Sequence, residues 1–308
     1  MSGVDLFLLG LATICFIMFL AYRLADRETM DAAAFRADSN FHTADLSHGV
    51  TAYRLYGDET APPVIILHGA TLGAMAYRQY VPLLVQAGYR VVLYDQYGRG
   101  FSDRPKATFS LALLRRQLRD LMDHLEIEKA HLFGISLGGA LAAHFAAEHG
   151  DRVHKVAYQV PAVSGAQVQF ILLLGKLPIL GQLIGRFFAV PAIIQRGESY
   201  GGDTPETREV FEHFKDQFLV VGTERVMRQM LTSDLLGDLL PDHAQVARQG
   251  IEAQFVYATD DPEIAAADVE KALSLYDAPD VHRYTGGHFF AARYMQELVE
   301  KLDRFFKT

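Results

Sequence analysis

Apolar or alternating runs of strand length recur along the chain, and each closes on glycine, proline or polar residues at its C-terminal end. Pro63-Val64-Ile65-Ile66-Leu67 runs into His68-Gly69-Ala70-Thr71, and His131-Leu132-Phe133 runs into Gly134-Ile135-Ser136-Leu137-Gly138. Lys155 to Val160 stops at Pro161, and Gln254 to Ala258 opens into Thr259-Asp260-Asp261-Pro262. Val281 to Thr285 alternates and opens into Gly286-Gly287-His288-Phe289. Such runs read as buried strands. Between them lie helical patterns: a small-residue stretch from Gly139 to Ala147, and an amphipathic one from Ala291 to Phe306. The alternation predicts a parallel α/β sheet, whose ligand-binding loops gather outside the strand C-termini.

The chemistry sits on those loops. Ser136 is the apex of a strand–turn–helix unit, where flanking glycines avoid collisions and the Leu137 N–H lies at a helix start, able to stabilise an oxyanion. A serine hydroxyl needs a base and a group to orient that base. Downstream, His288 is the one histidine offered by a flexible glycine turn, and a carboxylate stands at the end of the preceding strand. Asp261, directly before Pro262, is the chosen partner, with Asp260 as the alternative. The N–H of Ala70 is the expected second oxyanion donor, and Thr71 adds a hydroxyl for substrate.

In order, His68-Gly69, Asp95-Gln96-Tyr97-Gly98-Arg99-Gly100-Phe101-Ser102-Asp103, Gly134-Ile135-Ser136-Leu137-Gly138, Asp261-Pro262 and Gly286-Gly287-His288 resemble the signatures of the α/β-hydrolase family over residues 47–308. The resemblance implies an eight-stranded, mostly parallel sheet with helices on both faces, a helical cap, and acyl transfer through a serine ester. It gives the Asp95 turn a structural role. Among relatives, the chain is similar to monoacylglycerol lipases and to bacterial single-helix phospholipases A. Epoxide hydrolases and haloalkane dehalogenases are disfavoured, because they need an aspartate where Ser136 stands.

Leu6 to Tyr22 carries no charge and as a helix would span roughly 26 Å, near the lower limit for crossing a bilayer. Asp5 precedes it with no Lys or Arg, and Arg23 interrupts any small-residue cleavage site, so an uncleaved transmembrane anchor is expected rather than a signal peptide. Arg23, Arg27 and Arg36 favour a cytoplasmic domain, whereas the resemblance to periplasm-facing hydrolases pulls the other way. The expected location is the inner membrane, with its side open. Residues 23–41 are expected to continue as helix, on the bilayer surface or against a second copy in a homodimer, or else to form a solvated linker; no Gly-x-x-x-Gly marks the span. The expected division is residues 1–46 as anchor and juxtamembrane helix, 47–163 and 251–308 as hydrolase core, and 164–250 as cap.

Composition narrows the class further. The chain has 308 residues, half of them apolar, which is enough for one large core. A net charge of −8 without a basic tail argues against nucleic acid. The one cysteine, Cys15, lies in the apolar span, so no intramolecular disulfide forms. His144, Glu148 and His149 lack metal-ligand spacing and read as surface residues, so neither metal nor cofactor is expected.

The early cap, residues 166–197, is strongly apolar and carries Lys176, Arg186 and Arg196 without an acid. Phe170, Leu173 and Phe187 are candidate contacts for an acyl chain, and the surplus apolar surface suits an interface with anionic lipid. Residues 207–240 read as amphipathic helix, with Val210, Phe211, Phe214, Phe218 and Val221 recurring at helical spacing and the three aromatics placed in the core rather than against ligand. The expected function is a membrane-anchored serine esterase or lipase acting on acyl esters in or near the bilayer. A general carboxylesterase, a hydrolase of carbon–carbon bonds or thioesters, and an inactive lipid carrier or scaffold are the alternatives.

Overall fold

The computed structural model describes residues 2–164, 177–198, 204–232, 235 and 237–308. Eight strands form one sheet: β1 His42–Leu46, β2 Gly49–Tyr56, β3 Pro63–Leu67, β4 Arg90–Tyr94, β5 Ala130–Ile135, β6 Val153–Gln159, β7 Ala253–Ala258 and β8 Asp280–Tyr284. Their order is β1-β2-β4-β3-β5-β6-β7-β8. β1 and β2 join antiparallel, β2 meets β4 antiparallel, and the remaining pairs are parallel. This is the expected α/β-hydrolase architecture. The central strands are buried on both faces, with Val64 to Leu67 fully enclosed, which is why their sequences are apolar without alternation.

The helices are α1 Gly3–Leu24, α2 Ala32–Arg36, α3 Tyr80–Gln86, α4 Leu111–His124, α5 Leu137–Glu148, α6 Pro178–Ile184, α7 Val190–Glu198, α8 Pro205–Asp216, α9 Thr223–Thr232, α10 Leu240–Arg248, α11 Ala266–Leu273 and α12 Ala291–Lys307. Helix α5 is small-residue because it is wedged against the sheet, with Ala140, Leu141, Ala142 and Ala143 fully buried. Helix α12 buries one stripe, Leu298, Val299, Leu302, Phe305 and Phe306. The order of β6, helices α6 to α10, and β7 puts residues 164–250 between consecutive sheet neighbours, where the cap was expected.

Helix α1 is 22 residues long and none of them is buried. It is long and apolar enough to cross a bilayer. The expected helical continuation over 23–41 is corrected here: the helix stops at Leu24, and the chain pairs with residues 219–221. The N–H groups of Thr29 and Met30 donate to the Leu219 carbonyl at 2.7 and 3.1 Å, and Val221 N–H returns a bond to Met30 at 2.9 Å. Strand-like pairing of this kind is incompatible with helix on either side. It therefore also breaks the expected 207–240 helix into α8, a 3-10 turn Gln217–Leu219, and α9. Val221, on the expected apolar face of that helix, is exposed as a result. Nor is the segment a solvated linker, because Phe35 packs on Phe101 with ring centroids 5.1 Å apart.

Arg186 fastens this arrangement. Its side chain is buried, pairs with Glu224 at 2.9 Å and Asp26 at 3.1 Å, donates to the Tyr22 carbonyl at 3.0 Å, and lies 3.9 Å over the Tyr22 ring. The expectation that Arg186 meets anionic lipid is thus overturned: its charge is spent inside the protein. Breaking a buried ion pair leaves an uncompensated charge and is strongly destabilising. Arg186→Met is expected to speed proteolytic cleavage between Leu24 and Ala32 by about tenfold or more relative to cleavage elsewhere. Unchanged cleavage would show that the segment is held by its backbone bonds alone.

Candidate active site

Ser136 stands at the end of β5 with φ +54° and ψ −117°, a conformation rarely taken by a residue with a side chain. A Cβ at Gly138 would collide with the Leu67 carbonyl oxygen, and one at Gly134 with the Gly138 carbonyl oxygen, so the turn closes only with glycine at both. Ser136 N–H donates to Gln159 O at 2.9 Å, while its own carbonyl accepts from Gly139 and Ala162 at 2.9 and 3.1 Å.

His288 Nδ1 and Asp261 Oδ2 lie 2.7 Å apart, both side chains buried. The second Asp261 oxygen accepts from the N–H groups of Glu263 and Ile264 at 2.8 and 3.1 Å. Burial alone would raise the Asp261 carboxyl, yet the bonds from His288 and from these N–H groups hold it below the usual value. Asp260 is placed otherwise. It caps the turn by accepting from Gly287 and Gly286, which lowers its own carboxyl, and it makes no hydrogen bond or ion pair with His288. One neighbour was not foreseen. Glu263 lies 3.9 Å from His288 Nε2 and forms an ion pair with Arg196 of the cap. Arg196, like Arg186, is therefore engaged within the protein.

The loop after β3 is set by a buried histidine. Gln96 N–H donates to His68 Nε2 at 2.9 Å, so Nδ1 carries the proton and donates to the Gly69 carbonyl at 2.8 Å. In a trans peptide the C=O and N–H point in opposite directions, so clamping the Gly69 carbonyl aims the Ala70 N–H the other way. Arg99 Nε bonds the next carbonyl, that of Ala70. Among the described residues, no acceptor takes the N–H of Ala70 or of Leu137. Gly69 passes so close that a Cβ there would lie 3.5 Å from the Ser136 Cβ. Asp95 supports the loop from behind: its carboxylate accepts from Ala74 at 2.7 Å and Phe101 at 3.0 Å, the structural role expected for its turn.

A cavity of about 630 Å³ opens beside His288 and Ile135. Leu72, Tyr77, Val160, Val210, Phe211 and Phe289 line it, with Arg78 and Gln159 among the polar groups. Phe211, expected in the core, thus faces the cavity beside Val210, whereas Phe214 and Phe218 are buried as expected. Two expected contacts are corrected. Thr71 is not on the wall; its carbonyl accepts from Gln217 at 3.3 Å and the next residue, Leu72, faces the space instead. Phe187 lies on a wide helical turn, Gly185–Ala189, away from the cavity and 38% exposed. Phe170 and Leu173 fall outside the described residues. His144, read as a surface residue, is largely covered and lies 3.0 Å from Asp242.

A family profile for the alpha/beta hydrolase fold matches residues 62–178. The chain has the α/β-hydrolase fold. It is similar to a 2-hydroxy-6-oxo-6-phenylhexa-2,4-dienoate hydrolase of Comamonas testosteroni, 40% identical over 126 residues, covering 40% of this chain and 43% of that protein. Among solved structures it resembles a meta-cleavage product hydrolase from Pseudomonas fluorescens, with a TM-score of 0.65, 23% identity, and coverage of 86% and 97%. It also resembles the enol-lactonase of Burkholderia xenovorans, with a TM-score of 0.71, 19% identity, and coverage of 87% and 100%. The matches to the first curated relatives span about half of those proteins' lengths. These relatives are named for carbon–carbon and lactone hydrolysis, rather than as the monoacylglycerol lipases and phospholipases A that the sequence suggested.

Burial pulls the His68 and His243 imidazoles from 6.5 down to about 4. The unfolded chain binds protons near pH 6.5, while the folded protein leaves both rings neutral until about pH 4. Their stabilisation is therefore complete above 6.5 and lost as pH falls through that window. Each contributes a slope of about 1.4 kcal/mol per pH unit there. Urea unfolding across the window is expected to show this steep acid limb, and His243→Gln to shed about one such increment. An unchanged slope would mean that the ring is protonated when folded.

Proposed function

We propose that the protein is a membrane-anchored serine hydrolase that cleaves carboxylic esters with apolar acyl or alcohol groups. The observation that carries this reading is the 2.7 Å pairing of His288 with Asp261, with His288 sharing a cavity wall with Ile135, the residue before a serine held in a strained, glycine-flanked turn. In this reading Ser136 Oγ attacks the ester carbonyl carbon and passes its proton to His288 Nε2. Asp261 keeps the imidazole in the right tautomer and stabilises its cation. The tetrahedral oxyanion takes hydrogen bonds from the N–H groups of Ala70 and Leu137, each worth about 3–4 kcal/mol. Collapse expels the alkoxide, which takes the proton from His288. Water, deprotonated by His288, then releases the acid and frees Ser136.

A second reading is favoured by the named relatives: cleavage of a carbon–carbon bond beside a ketone, with the same serine addition and a stabilised carbanion as leaving group. Natural substrates drawn from the bilayer are a narrower proposal. It is supported by the exposed apolar α1 and by Ile179, Leu180, Phe187 and Phe188 on the cap near the Tyr22 end of that helix. Anchor, core and cap as separate parts of the chain belong to the same proposal.

Detergent-purified protein is expected to hydrolyse medium-chain 4-nitrophenyl esters, with Ser136→Ala inactive and Asp261→Asn reduced about 10⁴-fold in kcat. Asp260→Asn, which disturbs only the turn, is expected to lose far less. Turnover of vinylogous diketones but of no ester would establish the second reading. Ester turnover that survives Ser136→Ala would overturn both. Fatty-acid release from phospholipid or monoacylglycerol micelles checks the narrower proposal.

A further inference from the structure

Three features converge at the C-terminal end of β6, the strand beside the Ser136 turn. The first is backbone strain. Val160 has φ +41°, an unfavourable value for a β-branched residue, although its N–H still continues the ladder to Val256 O at 2.8 Å. The strain bends the chain where it enters the cavity, and such outliers persist where the surroundings over-determine them. The second is a polar side chain in an apolar wall. Gln159 is 4% exposed, lines the cavity, and is the register partner of Ile135, next to Ser136. The third is a fixed orientation. The Tyr80 hydroxyl, fully buried, donates to Gln159 Oε1 at 2.8 Å. With Oε1 occupied, Nε2 is the end left facing the cavity, and among the described residues no group accepts its protons.

An amide placed in an apolar cavity wall and locked by a second, buried side chain is not an adaptable filler: the end that faces the cavity is a fixed donor for what enters it. We propose that Gln159 is a specificity-determining substrate contact. Its Nε2 donates to an acceptor oxygen (ether, hydroxyl, keto or second ester) that the substrate carries apart from the carbonyl under attack, and Tyr80 is its positioning residue. The substrate class is thereby narrowed from plain apolar esters to esters with an oxygenated chain. The inference rests on the serine-hydrolase reading above. A site built to hydrogen-bond one substrate oxygen discriminates strongly against the analogue without it, whereas an apolar wall does not.

The test is an oxygen walk. 4-Nitrophenyl hexanoate is compared with isomers in which one CH2 is replaced by O at successive positions, and hexyl esters are varied likewise on the alcohol side. Each kcat/KM is divided by the rate of alkaline hydrolysis to remove intrinsic reactivity. One isomer is expected to exceed its all-carbon parent by about tenfold or more. Gln159→Glu retains the acceptor for Tyr80 but loses the donor, and is expected to erase that preference. Tyr80→Phe frees the amide to turn over, and is expected to reduce the preference to a few-fold. A wild-type protein indifferent to oxygen position overturns the proposal, as does a preference that survives in Gln159→Glu; thermal melting identifies a variant that has failed to fold. Calorimetric binding of the same esters to Ser136→Ala reads the contact without turnover. Equal affinities there overturn it, and a preference lost in the Ser136→Ala, Gln159→Glu double variant supports it. Loss of turnover with this binding preference intact would count against ester hydrolysis alone.

Discussion

The reversed backbone at Ser136 is the constraint on which the rest of the site depends. A left-handed serine costs about 1–3 kcal/mol and survives only where its surroundings leave no alternative. Here its N–H is held by Gln159, its carbonyl takes bonds from Gly139 and Ala162, and the helix behind it approaches the Leu67 carbonyl closely enough to exclude any Cβ at Gly138. Each contact belongs to a different strand or loop: β6, the start of α5, the chain after β6, and the end of β3. Forming the turn therefore requires the central sheet to be assembled, and an assembled sheet leaves the serine nowhere else to go.

The oxyanion loop is organised on the same logic with a different currency. In the proposed mechanism no side chain supplies the donors, so the orientation of two peptide planes must be enforced from the carbonyl side. His68 does this for the Gly69–Ala70 plane, and the bonds from Gly139 and Ala162 to the Ser136 carbonyl do it for the Ser136–Leu137 plane, while the buried Arg99 fixes the next carbonyl of the loop, that of Ala70. Burial gives His68 its role, because an imidazolium could not accept from Gln96 N–H while donating to Gly69. Keeping the ring neutral is thus the same requirement as keeping the loop in shape. Burial also pulls the Arg99 guanidinium down to about 9, with Arg104 adding to the effect.

The elements visible in the sequence were those whose physics is local. Continuous apolar runs identified the central strands, glycine spacing identified the Ser136 turn, and the Asp-Pro and Gly-Gly-His ends marked residues that the fold brings within 2.7 Å of one another. Asp260 and Asp261 were indistinguishable until the turn geometry separated a cap from a histidine partner. The cap resisted because its structure is decided by long-range partners. A periodicity that predicts helix through residue 221 cannot foresee that Met30, about 190 residues earlier, pairs with Val220 and opens the helix there. Arg186 and Arg196 looked like free cations for the same reason: their carboxylates are remote in sequence. Gln159 carried no signal at all, since one glutamine ending a buried strand is ordinary until the cavity and Tyr80 are seen around it.

Those remote partners also link the two ends of the molecule. Tyr22 and Asp26, at the foot of the apolar helix, hold Arg186, and Arg186 holds Glu224 on the helix that carries Met230. The Met230 sulfur contacts the Arg99 guanidinium that clamps the Ala70 carbonyl. On the other side of the cap, Arg196 reaches Glu263 beside His288. The cap therefore touches the oxyanion loop through one buried cation and the histidine through another ion pair, while resting on the segment that follows the helix. Arg99 lies between the Ala70 carbonyl on one side and the Met230 sulfur on the other, so a shift of the helix carrying Met230 would uncover a buried cation, whereas the half-exposed pair of Arg196 with Glu263 adds little. The cost of displacement therefore falls at the Ala70 loop, close to the serine turn that the sheet already holds in place.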